Sequence, residues 1–89
     1  MLKINLSKQA AKLLKKAHPK HAKQIAHKIV ELQQNSFPHD SIKLKGRHSN
    51  LYRADIGEYR IIYYTEEDIL YVTIIGKRND GEVYKILSH

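Results

Sequence analysis

No cysteine occurs among the 89 residues of this chain. That absence removes disulfide frameworks, thiolate zinc sites and cysteine nucleophiles together, and leaves packing as the source of stability in a cytoplasmic setting. Glycine is nearly as scarce. Gly46, Gly57, Gly76 and Gly81 stand alone at turns and strand ends, so a glycine-rich loop that cradles nucleotide phosphates is excluded. Long apolar runs are missing too, and Met1-Leu2-Lys3-Ile4-Asn5-Leu6 lacks the apolar core and cleavage site of a signal peptide. The expectation is a soluble protein, neither exported nor embedded, with one domain spanning 1–89 and no room for a cofactor-binding module. Acidic residues are rare in the first half: residues 1–50 hold eleven bases against Glu31 and Asp40, whereas 51–89 hold five bases against seven acids. The net charge of +7 favours a polyanionic partner, nucleic acid or an acidic protein, over the plainer alternative of a solvated lysine-rich helix face.

What is present reads as an α+β pattern. Residues 2–6 alternate apolar and polar as a short strand, and Ser7 can cap a helix running to Ala17 with Ala10, Leu13, Leu14 and Ala17 on one face. His18-Pro19 ends it, and Pro19 suits the first turn of a second helix to about Asn35 with the stripe Ala22, Ile25, Ala26, Ile29, Val30 and Leu32. Lys28 and the other helix lysines are expected outside. After the loop Phe37-Pro38-His39-Asp40, a strand over 42–45 precedes three more, at 51–56, 59–65 and 69–77, joined by the tight turns Gly57-Glu58 and Glu66-Glu67-Asp68. This predicts a strand, a helical hairpin and an antiparallel meander, with the helices packed on one face and the cationic groups at the other face or rim. Strand parity puts Arg53 with Asp55, Arg60 with Ile62 and Tyr64, and Arg78 with Ile74 and Gly76.

Several chemistries fail on inspection. The histidines His18, His21 and His27 lie near or on a lysine-rich helix without carboxylates, a poor setting for a divalent cation, and no spacing matches a familiar metal site. The serines sit at caps, loops or the tail, which leaves no hydrolase triad. Arginine, lysine and tyrosine on a sheet remain. A guanidinium stays charged and can hold two phosphate oxygens at once, so arginines fixed beside core residues form a phosphate-binding scaffold. The plain reading of Tyr59, Tyr63, Tyr64 and Tyr71 is core or sheet surface, and Arg60 alone could simply pair with Asp55 on the next strand.

From Tyr52-Arg53 through Tyr59-Arg60-Ile61-Ile62-Tyr63 to Gly76-Lys77-Arg78 and Val83-Tyr84, the chain resembles the RelE/ParE superfamily of toxins from bacterial type II toxin-antitoxin pairs. The resemblance implies a RelE-like fold. It also implies one of two activities: RelE-like members cut mRNA in the ribosomal A site without a metal or cofactor, by attack of the ribose 2′-hydroxyl, whereas ParE-like members inhibit DNA gyrase. The first branch is favoured over a gyrase inhibitor or a catalytically inactive family member that only binds its antitoxin. Arg60, Arg78 and Tyr84 fall on the phosphate-stabilising arginines and the tyrosine of RelE, Arg53 falls on the first of its two active-site lysines, and Asp55 departs from the second.

Such cleavage needs a base for the 2′-hydroxyl, cations for the pentacovalent phosphorane, and a donor for the leaving 5′-oxygen. Arg60, Arg78 and Arg53 suit the cationic role. Tyr84 can act as the base or stack on a nucleobase, Asp55 is a second candidate base, and His48 and His89 are candidate acids. Lys43, Lys45, Arg47 and Lys77 are expected to contact substrate or ribosomal RNA, although a solvated strand edge would look the same. The partners implied are the ribosome, mRNA and a small antitoxin whose amphipathic C-terminal segment wraps the toxin.

Overall fold

The computed structural model describes residues 1–38, 40–46, 50–79 and 81–87. The elements run β1 (Lys3–Leu6), α1 (Lys8–Lys16), α2 (Pro19–Gln34), β2 (Ile42–Lys43), β3 (Tyr52–Ile56), β4 (Tyr59–Glu66), β5 (Ile69–Lys77) and α3 (Glu82–Leu87). The five strands form one sheet in the order β1-β5-β4-β3-β2, with β2 to β5 antiparallel in sequence and β1 parallel to β5. Local chemistry sets the helix ends. Ser7 accepts from the Ala10 N–H as the N-cap of α1, and His18 Nδ1 accepts from the Lys20 N–H at the start of α2, where Pro19 occupies the first turn.

β1 stops at Leu6, level with Val72, so the outer edge of β5 would be unpaired beyond that point. Residues of the β1–α1 junction satisfy it instead. The Ser7 N–H donates to Val72 O and its hydroxyl to Thr73 O; the Ile75 N–H then donates to Gln9 Oε1 at 2.9 Å while Gln9 Nε2 donates back to Ile75 O at 2.7 Å. These bonds fix α1 against β5.

The central strand β4 is buried on both faces. Tyr59, Ile61 and Tyr63 point to the hairpin and join Ala10, Ile25, Ile29, Leu32, Ala54, Leu70, Val72 and Ile75; Ile62 points the other way and joins Leu51, Ile74 and Val83. Each fully buried isoleucine or leucine here contributes about 1.5–3 kcal/mol. The expected two-helix hairpin thus covers one face, and α3, which was not expected, covers part of the other through Val83, Ile86 and Leu87. Two further expectations are corrected. Strand pairing at 42–45 extends only over Ile42–Lys43, with the Leu44 N–H still donating to Leu51 O, because the chain turns at Gly46 with φ 71°. In α2, Val30 and Ala26 are exposed and Lys28 is buried, since the stripe is centred on Ile25, Ile29 and Leu32 and the Lys28 ammonium is paired with Asp40 (3.4 Å) and Glu31 (3.6 Å).

Tyr63 anchors the loop after α2 by donating its hydroxyl to Ser36 O, and burial is the main cause that raises its phenol above the ordinary value. The folded phenol holds its proton more tightly than the unfolded one. Its contribution to stability is therefore whole below about pH 10 and is lost as the pH climbs through the raised folded value. Tyr63→Phe is expected to flatten the alkaline limb of a melting-temperature-versus-pH curve; an unchanged limb would show that another group governs it.

Candidate functional site

The β3–β4 hairpin builds the first half of the site. Its turn at Gly57-Glu58, with Gly57 at φ 55°, sets Asp55 directly opposite Arg60, an opposite-charge pair across antiparallel strands. Arg53, two residues before Asp55, lies on the same face, and Arg60 faces Gly76 across β5, where no side chain obstructs it. Arg78 follows β5, tied by its N–H to Glu58 O and by Nη1 to Gly57 O at 3.3 Å. Tyr84 arrives on α3, which begins after the turn at Gly81 (φ 63°) and is held to the sheet by the fully buried Val83.

These side chains form a closed ring. Arg60 donates from Nε to Asp55 Oδ1 at 3.0 Å and from Nη2 to Asp55 Oδ2 at 3.5 Å, while its Nη1 donates to the Tyr84 hydroxyl at 3.3 Å. Arg53 Nη1 donates to the same hydroxyl at 2.8 Å, and Arg53 Nε stands 3.8 Å from Asp55 Oδ1. Arg78 Nη2 reaches Asp55 Oδ2 at 3.7 Å, and the Arg60 guanidinium lies 5.5 Å from the centre of the Tyr84 ring. The hydrogen bond to Asp55, opposed by burial and helped by the Asp55 charge, raises Arg60 above even its ordinary pKa, so it is a permanent cation. One carboxylate thus stands among three guanidiniums. The Arg78 side chain at 45% exposure and Tyr84 at 38% form the open side.

All five candidate catalytic positions, Arg53, Asp55, Arg60, Arg78 and Tyr84, therefore converge on one face of the sheet, away from the helical hairpin. The proposed RNA contacts divide. Lys43 pairs with Tyr52 and Lys77 with Tyr59, which places both on the hairpin face; Lys45 is exposed beyond β2; Arg47, like His48 and His89, lies outside the described residues. Two features were missed. One is α3 itself, signalled by the spacing of Val83, Ile86 and Leu87 after Gly81; the other is Ile42, 46% exposed beside Arg53 on the site face.

A cleft of about 400 Å³ lies elsewhere, lined by Gln9, Lys12, Leu13, Lys16, Ala17 and Tyr59 on the hairpin side. None of Arg53, Asp55, Arg60, Arg78 and Tyr84 lines this cleft. Among the described residues no group of three histidine or carboxylate side chains could hold a metal, and no helix is long and apolar enough to cross a membrane. His21 instead pairs with Glu58 at 3.4 Å and packs edge-on to Tyr59.

The profile of the ParE toxin of the type II toxin-antitoxin system parDE matches residues 4–81. This chain belongs to the ParE toxin family. It is thereby a type II toxin of the RelE/ParE superfamily, and its fold is the RelE-like one. RelE in the archaeal RelE-RelB complex from Pyrococcus horikoshii OT3 is 26% identical over 86% of this toxin and 94% of that chain, with a TM-score of 0.74. The isolated E. coli RelE toxin is 20% identical over 98% and 99% of the two chains, also at 0.74. The YoeB/ParE toxin from Agrobacterium tumefaciens is 15% identical over 86% and 99%, at 0.77. No curated protein matches the sequence. In this toxin the arginine face is made by the β3–β4 hairpin, the end of β5 and α3.

Proposed function

We propose that this toxin is a ribosome-dependent mRNA endonuclease that inhibits translation in the cytoplasm, cutting by attack of a ribose 2′-hydroxyl on the adjacent phosphate. The observation that carries this reading is the Tyr84 hydroxyl held by Arg53 and Arg60 beside the exposed Arg78. The 2′-oxygen forms a bond to phosphorus as the bond from phosphorus to the 5′-oxygen breaks, leaving a cyclic phosphate and a 5′-hydroxyl. Arg60 and Arg78 stabilise the charge that builds on the phosphorane oxygens, as fixed cations that need no reorganisation. Tyr84 accepts from two guanidiniums, which fills its acceptor positions and leaves its own O–H for the departing 5′-oxygen. The 2′-hydroxyl proton passes to water on the open side, and Tyr84 regains its proton from solvent. No metal or cofactor enters this scheme.

The surrounding lysines fit long-range attraction better than contact with the scissile nucleotide. Lys43 and Lys77 on the hairpin face, with Lys45 beyond β2 and Arg47, would meet ribosomal RNA. A cognate antitoxin is the regulatory partner, a reading supported by the archaeal RelE having been solved as a RelE-RelB complex. The second reading is a gyrase inhibitor, favoured by the ParE profile that the chain matches.

Primer extension on mRNA in a reconstituted translation reaction separates the two. Codon-phased cuts that require ribosomes, weakened about 10²-fold by Tyr84→Phe and at least as much by Arg78→Ala, are expected of the nuclease. Growth inhibition that persists in both variants without any cuts would favour gyrase.

A further inference from the structure

The carboxylate at the centre of the arginine face is the least expected part of it, because an anion at a phosphate site opposes binding. Its contacts show what it does instead. Asp55 grips Arg60 along the Nε/Nη2 edge, at 3.0 and 3.5 Å, and the remaining Nη1 is steered to Tyr84 at 3.3 Å. A guanidinium has five N–H groups; those three bonds leave one on each terminal nitrogen. Both Asp55 oxygens are engaged by this pair, with Arg53 Nε 3.8 Å from one and Arg78 Nη2 3.7 Å from the other. Among the described residues, no hydrogen-bond partner meets the buried Arg53 Nε, which leaves the Asp55 carboxylate as its nearest anion. A carboxylate so occupied is poorly placed to take a substrate proton.

From this geometry we infer that Asp55 is a positioning residue: it aligns Arg60, and through Arg60 and Arg53 the Tyr84 hydroxyl, on a single phosphodiester group, at the expense of affinity for RNA. The inference rests on the nuclease reading for its rate consequence, while its structural half stands separately. Asp55 makes the face weaker as a polyanion trap and stricter as a template. The ligand class is a single-stranded RNA phosphodiester seated on the two free N–H groups of Arg60 and on Arg78.

The test compares wild type, Asp55→Asn and Asp55→Glu in three measurements. Binding is followed with a short 2′-O-methyl oligouridine, which cannot be cut. Removing the charge is expected to tighten binding about 5-fold, a modest gain because the site is partly exposed to solvent. Exchange of the Arg60 Nε–H, followed by NMR on ¹⁵N-labelled protein, is expected to be slow in wild type and fast in Asp55→Asn. Ribosome-dependent cleavage at saturating mRNA is expected to fall at least 10-fold in Asp55→Asn, with Asp55→Glu recovering part of both alignment and rate. Tighter binding with slower cleavage is the signature of positioning. Unchanged or weaker RNA binding, or an Arg60 Nε–H as protected in Asp55→Asn as in wild type, overturns the inference. So does a cleavage rate that loses only its acidic pH limb in Asp55→Asn, since that marks a general base. Absence of cutting by the wild-type protein would sink the nuclease reading alone, and the binding and exchange results would still decide the role of Asp55.

Discussion

Arg60→Ala is expected to lower mRNA cleavage by about three orders of magnitude, the upper end of what one preorganised donor to a developing oxyanion supplies. Three losses coincide at this position. The cation nearest the centre of the face disappears, Asp55 loses its two-point partner, and Tyr84 keeps only the hydrogen bond from Arg53 at 2.8 Å. Leaving a half-buried carboxylate without its closest partner also destabilises the fold, by about 1–2 kcal/mol once solvent screening and the remaining arginines are allowed for. Arg60→Lys separates these effects. It keeps the charge but cannot hold Asp55 along one edge and a phosphate along the other, so cleavage should fall about 10- to 100-fold with little change in melting temperature. Single-turnover cleavage on programmed ribosomes, alongside thermal melting, measures both. An Arg60→Ala protein that cuts within a few-fold of wild type would remove Arg60 from the chemistry and return it to the plain role of a cross-strand partner for Asp55.

That plain role was visible in the sequence, and the structure makes it part of the site. Arg60 does pair with Asp55 on the neighbouring strand, and the same guanidinium reaches Tyr84. Strand parity was sufficient to bring Arg53, Asp55 and Arg60 to one face because side chains alternate with a period of two and the Gly57-Glu58 turn leaves little freedom of register. Helix boundaries were equally legible, since Ser7 and Pro19 act through local backbone chemistry. Tertiary effects were not. Burial of Lys28 depends on Asp40, twelve residues away on a loop, and the parallel pairing of β1 with β5 joins residues more than sixty positions apart. α3 was missed because six residues are too few to show a clear helical period, and its stability comes from docking rather than propensity. The placement of Lys43 on the hairpin face followed from the same parity, had the short pairing of Ile42–Lys43 with Arg53 and Tyr52 been known.

Docking of α3 carries the second large effect. Val83 is fully buried against Leu51, Ile62 and Ile74, and it is the neighbour of Tyr84 in sequence, so the packing of one fixes the hydroxyl of the other. Val83→Asp would place an unpaired carboxylate in that apolar cluster, at a cost of several kcal/mol if the helix stayed in place. A six-residue helix has a cheaper response, which is to leave the sheet. The larger cluster between the hairpin and the sheet contains no α3 residue, so the rest of the fold should persist. Cleavage is then expected to fall at least as far as in Tyr84→Phe, about 10²-fold or more, while amide exchange accelerates in α3 and remains slow in β4 and β5. Ile61→Asp, which strikes the hairpin-side cluster, should instead unfold the protein throughout. If Val83→Asp freed α3 and the protein still cut mRNA at the wild-type rate, Tyr84 would have no part in the reaction, and the arginines of β3, β4 and the β5 end would have to provide both charge stabilisation and the route for the leaving-group proton. Guanidiniums cannot readily provide that route, because they do not give up protons at neutral pH.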